Sequence, residues 1–231
     1  MKRIAHRGLS GLYPENTLAA FEAALACHPD AMELDVQLTR DGQVVIFHDE
    51  TLDRMGLRPG WLKDCTYDEL QSLPVAVPRL SDYFELIRGV QIDTFVEFKN
   101  SFVLYPGLEE KTLKITDRYG RTADCVFYSA NHRAVAALGE KRPGLRLCFP
   151  FNDWIFDEGA YCQKHGITEA IPYHLALTKE IVDDFHAHGV RVYSWTVDDP
   201  EEMLRQRKLG ADGLLTNRVD LMNQTLGGDL R

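Results

Sequence analysis

Short apolar runs rich in β-branched and aromatic residues alternate along the chain with longer stretches whose apolar positions recur every three or four residues. The strand-like runs begin at Arg3–His6, Ala31–Asp35, Val44–His48 and Thr94–Lys99. They continue at Cys125–Tyr128, Leu145–Phe149, Ala170–Tyr173, Val190–Trp195 and Gly213–Thr216. Helical stretches lie between most of them. One is 16–27, with Leu18, Phe21, Ala24 and Leu25 on one face; the others are 82–88, 108–119, 132–141, 157–165, 179–188 and 200–209. Alternating strands and helices imply a parallel sheet. Nine strand candidates exceed the eight places of a (β/α)8 barrel, and one junction resolves the excess. Only Arg40-Asp41-Gly42-Gln43 separates the second run from the third. An Asp-Gly turn that short makes an antiparallel hairpin, because parallel neighbours need a crossover of roughly a dozen residues or more. The pattern therefore predicts an α/β fold, a (β/α)8 TIM barrel with a hairpin, Val36–Asp49, rising from strand two. Its turn sets Asp35 roughly opposite His48. Residues 50–80, with Pro59-Gly60, Trp61, Pro74 and Pro78, follow as a small, partly irregular insertion before the second helix, so the whole excursion spans about 36–80.

The 231 residues, without repeat, low-complexity tract or linker, read as one domain. That length suits one barrel of typically ~250 residues. Hydrophobic residues make up 45% and charged residues 26%, enough for a core without disulfides. Basic residues number 26 against 35 acidic, for a net charge of −9, and no basic run or face is visible, which argues against nucleic acid as a partner. Five cysteines, an odd number with no CxxC, read as reduced core thiols and a cytoplasmic location. No apolar stretch is long enough for a signal peptide or a membrane span, so stable membrane insertion is not expected.

Active sites of such barrels sit at the C-terminal ends of the strands. Strand one ends in His6-Arg7-Gly8, strand two carries Glu33-x-Asp35, the hairpin return ends in His48-Asp49, and the next strand carries Glu97-x-Lys99. Residues two apart on a strand point to one face, so Glu33, Asp35 and Glu97 converge at one mouth. Crowded carboxylates repel without a cation, and an all-oxygen set suits one Mg²⁺ or Ca²⁺, with Mn²⁺ also admissible, rather than Zn²⁺. Two histidines beside such a site suggest general acid–base work on an anionic substrate, with Arg7 and Lys99 supplying fixed positive charge. Taken singly, each feature has a plainer reading: a solvated Glu-x-Asp pair, a structural strand-end histidine, a buried Glu–Lys ion pair. Their arrival at one end of neighbouring elements favours a site.

The same segments carry a family resemblance. His6-Arg7-Gly8 with Pro14-Glu15-Asn16-Thr17, then Glu33 to Gly42 with His48-Asp49, then Val96-Glu97-Phe98-Lys99, resemble the ordered motifs of the glycerophosphodiester phosphodiesterase family. Trp195-Thr196-Val197-Asp198 and Gly210 to Asn217 are similar to its closing strands, so the likeness covers nearly the whole chain. The resemblance implies His6 and His48 as the acid–base pair and Glu33, Asp35 and Glu97 as metal ligands. It implies Arg7, Lys99 and Trp195 as substrate-binding residues, with Asn16 steadying the site near His6. It also implies hydrolysis of a small glycerophosphodiester to sn-glycerol 3-phosphate and an alcohol; one route open to the two histidines is attack of the glycerol 2-hydroxyl on phosphorus, followed by opening of a cyclic phosphate by water. Phe95, Ala130 and Arg218-Val219 depart from the family pattern and bear on the alcohol side of the pocket. Two other readings are a lysophospholipase D- or C-like enzyme on the same barrel and a non-catalytic phosphodiester-binding module. The polar-laced insertion 50–80 does not suggest the apolar rim that an acyl chain needs, and no histidine or carboxylate of the set is missing.

The remaining aromatics and histidines have open roles. Tyr128, Phe149, Phe151 and Trp154 either wall the pocket or belong to the core. Tyr173-His174 end a strand near the mouth, and Trp61 either covers the site or pins its loop. His28, His132, His165, His186 and His188 are expected to be solvated.

Overall fold

In the computed structural model, residues 1–153 and 155–227 are described. Eight parallel strands close into a barrel: β1 (Lys2–His6), β2 (Ala31–Leu38), β4 (Asp93–Phe98), β5 (Cys125–Tyr128), β6 (Arg146–Phe151), β7 (Glu169–Pro172), β8 (Arg191–Ser194) and β9 (Gly213–Thr216). Strand β9 returns to pair with β1, with Ile4 opposite Leu215. The additional strand, β3 (Val44–Ile46), pairs antiparallel with β2, as the Asp-Gly turn predicts. The register differs by one residue from expectation. Val36 faces Ile46, and the Phe47 amide donates to the Asp35 carbonyl, so His48 lies one step beyond Asp35. The turn is one residue tighter than a loop over all of 40–43, because the Thr39 amide already donates to the Gln43 carbonyl.

Alternation along each strand separates two apolar layers. Ile4, Phe95, Val126, Tyr193 and Leu215 fill the barrel interior. Met32, Val96, Phe127 and Phe149 face outward against the helices with Phe21, Phe84 and Phe185. The helices are α1 (Leu18–Leu25), α3 (Leu80–Leu86), α4 (Leu108–Arg118), α5 (His132–Lys141), α6 (Glu158–Lys164), α7 (Lys179–Ala187), α8 (Pro200–Leu209) and α9 (Val219–Leu226). The ends of α8 follow from local chemistry. The Asp199 side chain accepts from the Glu202 amide, Pro200 opens the helix, acids occupy the first turn, and Gly210 closes it at φ 94°. The closing helix α9 was not expected, although Val219, Met222 and Leu226 are its buried face at helical spacing.

The insertion has its own small core. Val45, Phe47, Leu52, Leu62, Cys65, Leu70 and Val77 cluster on the far face of the hairpin. Within the insertion lies a short helix, α2 (Tyr67–Gln71), opened by a Thr66–Glu69 capping box. Trp61 bridges to Thr51 and is not among the cavity-lining residues, so it pins its loop rather than covering the site. All five cysteines are free thiols, four buried and Cys27 half-buried. No helix among the described residues is long and apolar enough to cross a membrane.

Candidate active site

On β1, β2 and β4 the interior face carries apolar residues low in the barrel and polar ones at its C-terminal end. On β2 the inward series runs Ala31, Glu33, Asp35; on β4 it runs Phe95, Glu97 and then Lys99 beyond the strand. Pairing of Asp35 with Glu97 across β2 and β4 puts their side chains at one level. One oxygen each of Glu33, Asp35 and Glu97 lies within 4.8 Å of the others. Burial, reinforced by the neighbouring Asp35 charge, raises Glu33 well above the ordinary carboxyl range. Burial also raises Glu97, against the pull of Lys99. Burial would raise Asp35 too, but Arg7, His48 and Lys99 outweigh it and hold that carboxyl ionised.

Arg7 closes one side of the cluster. Its amide donates to Glu33 Oε2 at 3.1 Å, and its Nε stands 3.2 Å from Asp35 Oδ2. This needs a turn at Arg7 (φ 56°) and Gly8 (φ 83°), where any Cβ on Gly8 would meet the Ala20 carbonyl carbon at 2.6 Å. Lys99 Nζ donates to Glu97 Oε1 at 3.0 Å and lies 3.8 Å from Asp35 Oδ1. Asn16, expected to steady the site near His6, donates from Nδ2 to Asp35 Oδ2 at 2.8 Å. Its own amide donates to the Arg7 carbonyl at 3.0 Å, so the loop before α1 is tied to the carboxylate cluster. Tyr128 lines the cavity and donates its hydroxyl to Glu33 Oε1 at 2.8 Å.

Each histidine is oriented through Nδ1. His6 Nδ1 lies 2.7 Å from Asn217 Oδ1, and Asn217 Nδ2 donates to Asp198 Oδ2 at 2.7 Å. An Asp carboxylate accepts only, so the amide orientation is set, Oδ1 faces His6, and His6 Nδ1 carries the proton. Its Nε2 is therefore the free lone pair, 3.8 Å from Glu33 Oε2. Burial, then the Arg7 charge, lowers the His6 pKa to about 4. His48 Nδ1 instead faces a carboxylate, Asp49 Oδ1, at 2.5 Å. Arg54 binds Asp49 and Glu15, and Glu15 accepts from Arg7, so a charged chain links the two histidine loops. Gln37 holds the backbone around His48 by donating to the carbonyls of Phe47 and Asp49 at 2.8 and 2.7 Å, while its Oε1 accepts from Tyr105.

These groups line one cavity of about 460 Å³. His6, Arg7, His48, Glu97 and Lys99 form its polar side; Phe102, Phe151, Ile155, Ile171, Trp195 and Leu215 form the other. Trp195 thus lines the cavity, and of the aromatics whose role was open Tyr128 and Phe151 line it too. Phe149 faces outward into the core, and Trp154 lies outside the described residues. Tyr173 and His174 pack behind Trp195, with His174 bonded to Glu202, and neither lines the cavity. His132 is not solvated: it stacks on Phe149 at 4.0 Å, its Nε2 is 2.9 Å from the Pro150 carbonyl, and it touches the cavity. His188 is half-buried and held by the Asp184 carbonyl, while His28, His165 and His186 are exposed as expected, His186 pairing with Asp212. Asn217, Asp198, Gln37 and Asp49 were not singled out beforehand. Asp198 and Asn217 end the two closing segments that resemble the family, the one signal that pointed to them.

An eight-stranded barrel with an acidic, histidine-flanked cavity at the C-terminal ends of its strands has the arrangement of a barrel enzyme's active site. Sequence comparison makes the assignment narrower. Residues 6–221 match the glycerophosphoryl diester phosphodiesterase family, and the chain belongs to that family. A glycerophosphodiester phosphodiesterase of Caldanaerobacter subterraneus is 34% identical over 225 residues, 93% of each chain. Two solved structures share the fold. One, a candidate glycerophosphoryl diester phosphodiesterase from Silicibacter pomeroyi, has TM-score 0.90 at 23% identity, covering 98% of this chain and 93% of that one. The other, an Oleispira antarctica phosphodiesterase in complex with the product sn-glycerol 3-phosphate, has TM-score 0.87 at 23% identity, covering 99% and 97%.

Proposed function

We propose that this phosphodiesterase hydrolyses glycerophosphodiesters to sn-glycerol 3-phosphate and an alcohol, with His6 and His48 exchanging protons and Glu33, Asp35 and Glu97 holding one Mg²⁺ or Ca²⁺, or Mn²⁺. The observation that carries this reading is Asp35 Oδ1. It is buried and makes no hydrogen bond, yet it lies within the carboxylate cluster. A buried acceptor without a hydrogen bond is costly, the Lys99 ammonium standing too far at 3.8 Å to donate, and a hard cation suits an all-oxygen set. When bound, the cation would neutralise phosphate charge and favour ionisation of a hydroxyl.

The side chains divide the remaining work. Arg7 and Lys99 bind the phosphate oxygens, the guanidinium offering two donors at once. His6 Nε2, with its lone pair free, takes the proton of the glycerol 2-hydroxyl as that oxygen attacks phosphorus. His48, whose Nδ1 rests on the Asp49 carboxylate, gives its Nε2 proton to the leaving alcohol oxygen. The product of this step is a cyclic phosphate, and the histidines now hold exchanged protonation states. His48 then takes a proton from water, which opens the ring at phosphorus, and His6 returns its proton to the 2-oxygen. Trp195 and Tyr128 wall the substrate. Five free thiols support a cytoplasmic setting.

Chelation tests the metal assignment. EDTA should abolish release of sn-glycerol 3-phosphate from glycerophosphocholine, and Mg²⁺, Mn²⁺ or Ca²⁺ should restore it. Asp35→Asn should lose titratable cation binding by calorimetry while staying folded. Full activity after exhaustive chelation would sink the assignment.

A further inference from the structure

The insertion 50–80 has its own core, and beyond Glu50 none of its residues lines the reaction cavity. One of its side chains, Arg54, nevertheless reaches the loops that carry the site. The Arg54 guanidinium grips two carboxylates, each by both oxygens. Nε and Nη2 donate to Asp49 Oδ2 and Oδ1 at 2.5 and 3.1 Å, and Nη1 and Nη2 donate to Glu15 Oε2 and Oε1 at 3.1 and 2.5 Å. Asp49 follows His48 on the hairpin return, and Glu15 lies on the loop after β1. Each carboxylate passes the grip on. Asp49 Oδ1 is also the acceptor for His48 Nδ1, and Glu15 Oε1 accepts from Arg7 Nη1 at 3.0 Å. Burial would raise both acids, and the bonds from Arg54 are the largest of the influences that lower them instead.

An exposed ion pair is worth little, because water screens it and two long side chains must be ordered. Here Arg54 is half exposed, but the Asp49 and Glu15 side chains are each only 19% exposed. A planar fork bound to both oxygens fixes a carboxylate's rotation as well as its distance. With Arg54 holding Oδ1 and Oδ2, Asp49 keeps Oδ1 aimed at His48. The backbone under Arg54 is held independently of these bonds. The Gly56 amide closes a turn on the Asp53 carbonyl at 2.9 Å, and the Leu52 amide closes its base on the Gly60 carbonyl at 3.0 Å. Leu52 is fully buried in the insertion core. Arg54 itself does not line the cavity, so it acts through its partners.

We propose that Arg54 is a positioning residue for both histidine-bearing loops: through Asp49 it aims His48, through Glu15 it holds Arg7 against the phosphate, and the insertion is its mount. This rests on the reaction assigned above. The two arms have different kinetic signatures. A looser Asp49 leaves His48 without a fixed acceptor, which weakens proton transfer and lowers kcat. A looser Glu15 lets Arg7 shift, which weakens phosphate binding and raises KM.

The test is steady-state release of sn-glycerol 3-phosphate from glycerophosphocholine with metal supplied, and circular dichroism to show that each variant is folded. Arg54→Ala should lower kcat about tenfold and raise KM about threefold, as expected for one weakened charged hydrogen bond on each arm. Glu15→Gln should reproduce only the rise in KM. Asp49→Asn should lower kcat alone, and Arg54→Ala added to it should lower kcat no further while still raising KM. Because the Arg54 site is half exposed, guanidinium ion at millimolar, non-denaturing concentration should enter the gap in Arg54→Ala and restore most of kcat, and sodium chloride at equal ionic strength should not. A folded Arg54→Ala enzyme with kcat and KM both within twofold of wild type would overturn the proposal. So would a loss of kcat that guanidinium leaves in place and that Asp49→Asn adds to in full, since independent losses mean no shared path. A wild type that releases no product would overturn the assigned reaction and this role with it.

Discussion

Replacing Asn217 by alanine separates the orientation of His6 from its chemistry. In the wild type, Asn217 Oδ1 accepts from His6 Nδ1 at 2.7 Å, and Asp198 fixes the amide from behind at 2.7 Å. The alanine leaves a buried imidazole N–H without its acceptor, and His6 has little solvent to turn to. Loss of such a partner costs about 1–3 kcal/mol. That energy now works against the one tautomer and ring position that present a lone pair at Nε2. At about 1.4 kcal/mol per tenfold, kcat should fall roughly 10- to 100-fold. KM should change little, because the phosphate contacts of Arg7 and Lys99 are untouched. Asp198→Ala should fall in the same direction by less, since Asn217 Oδ1 can still face His6 while its orientation is no longer enforced. His6→Ala should lose more than either, and Asn217→Ala on top of it should cost almost nothing further, because the two act as one unit. The assay is steady-state release of sn-glycerol 3-phosphate from glycerophosphocholine, with circular dichroism to show that each variant is folded. A folded Asn217→Ala enzyme with kcat within twofold of wild type, alongside an inactive His6→Ala, would refute the orienting role.

Three further outcomes are expected. His6→Ala and His48→Ala should each lower kcat by about 10²–10⁴-fold with cation binding intact by calorimetry, whereas Arg7→Ala should raise KM as well; a folded His48→Ala enzyme keeping more than about a tenth of its kcat would make His48 structural. Gln37→Leu removes both clamps on the backbone around His48 and strands the Tyr105 hydroxyl, so kcat should fall and urea unfolding should show a loss of about 1–3 kcal/mol, an unchanged enzyme counting against the clamp. Glu202 accepts from Arg205, Gln206 and His174, which overcome its burial and lower its pKa to about 2. A folded value below the unfolded one gives stability that is complete above about pH 5 and is lost as pH falls towards 2. Screening at this partly open site brings the amount to about 1–2 kcal/mol, so wild type and Glu202→Gln should differ in urea midpoint at pH 7 and converge near pH 2.

Much of the barrel was legible because it rests on local rules. Strand and helix periods, the Asp41-Gly42 turn and the Asp199-Pro200 and Gly210 helix signals act over a few residues, and the eight-strand count with an outlying hairpin followed from them. The carboxylate cluster was legible for the same reason. Residues two apart on a strand share a face, and chain order put Glu33, Asp35 and Glu97 at neighbouring strand ends. Contacts between distant segments were not legible. Nothing local shows that Asn16 turns to Asp35, that Asn217 crosses 211 positions to His6, or that Gln37 grips the flanks of His48. Nor does a local pattern tell which apolar residues stay exposed. Phe102 and Phe156 carry no local mark of exposure, yet on the loops after β4 and β6 they are 87% and 94% exposed. Short-range preferences select the elements, while the side-chain partners that aim a proton are chosen by how closed strands bring remote loops together.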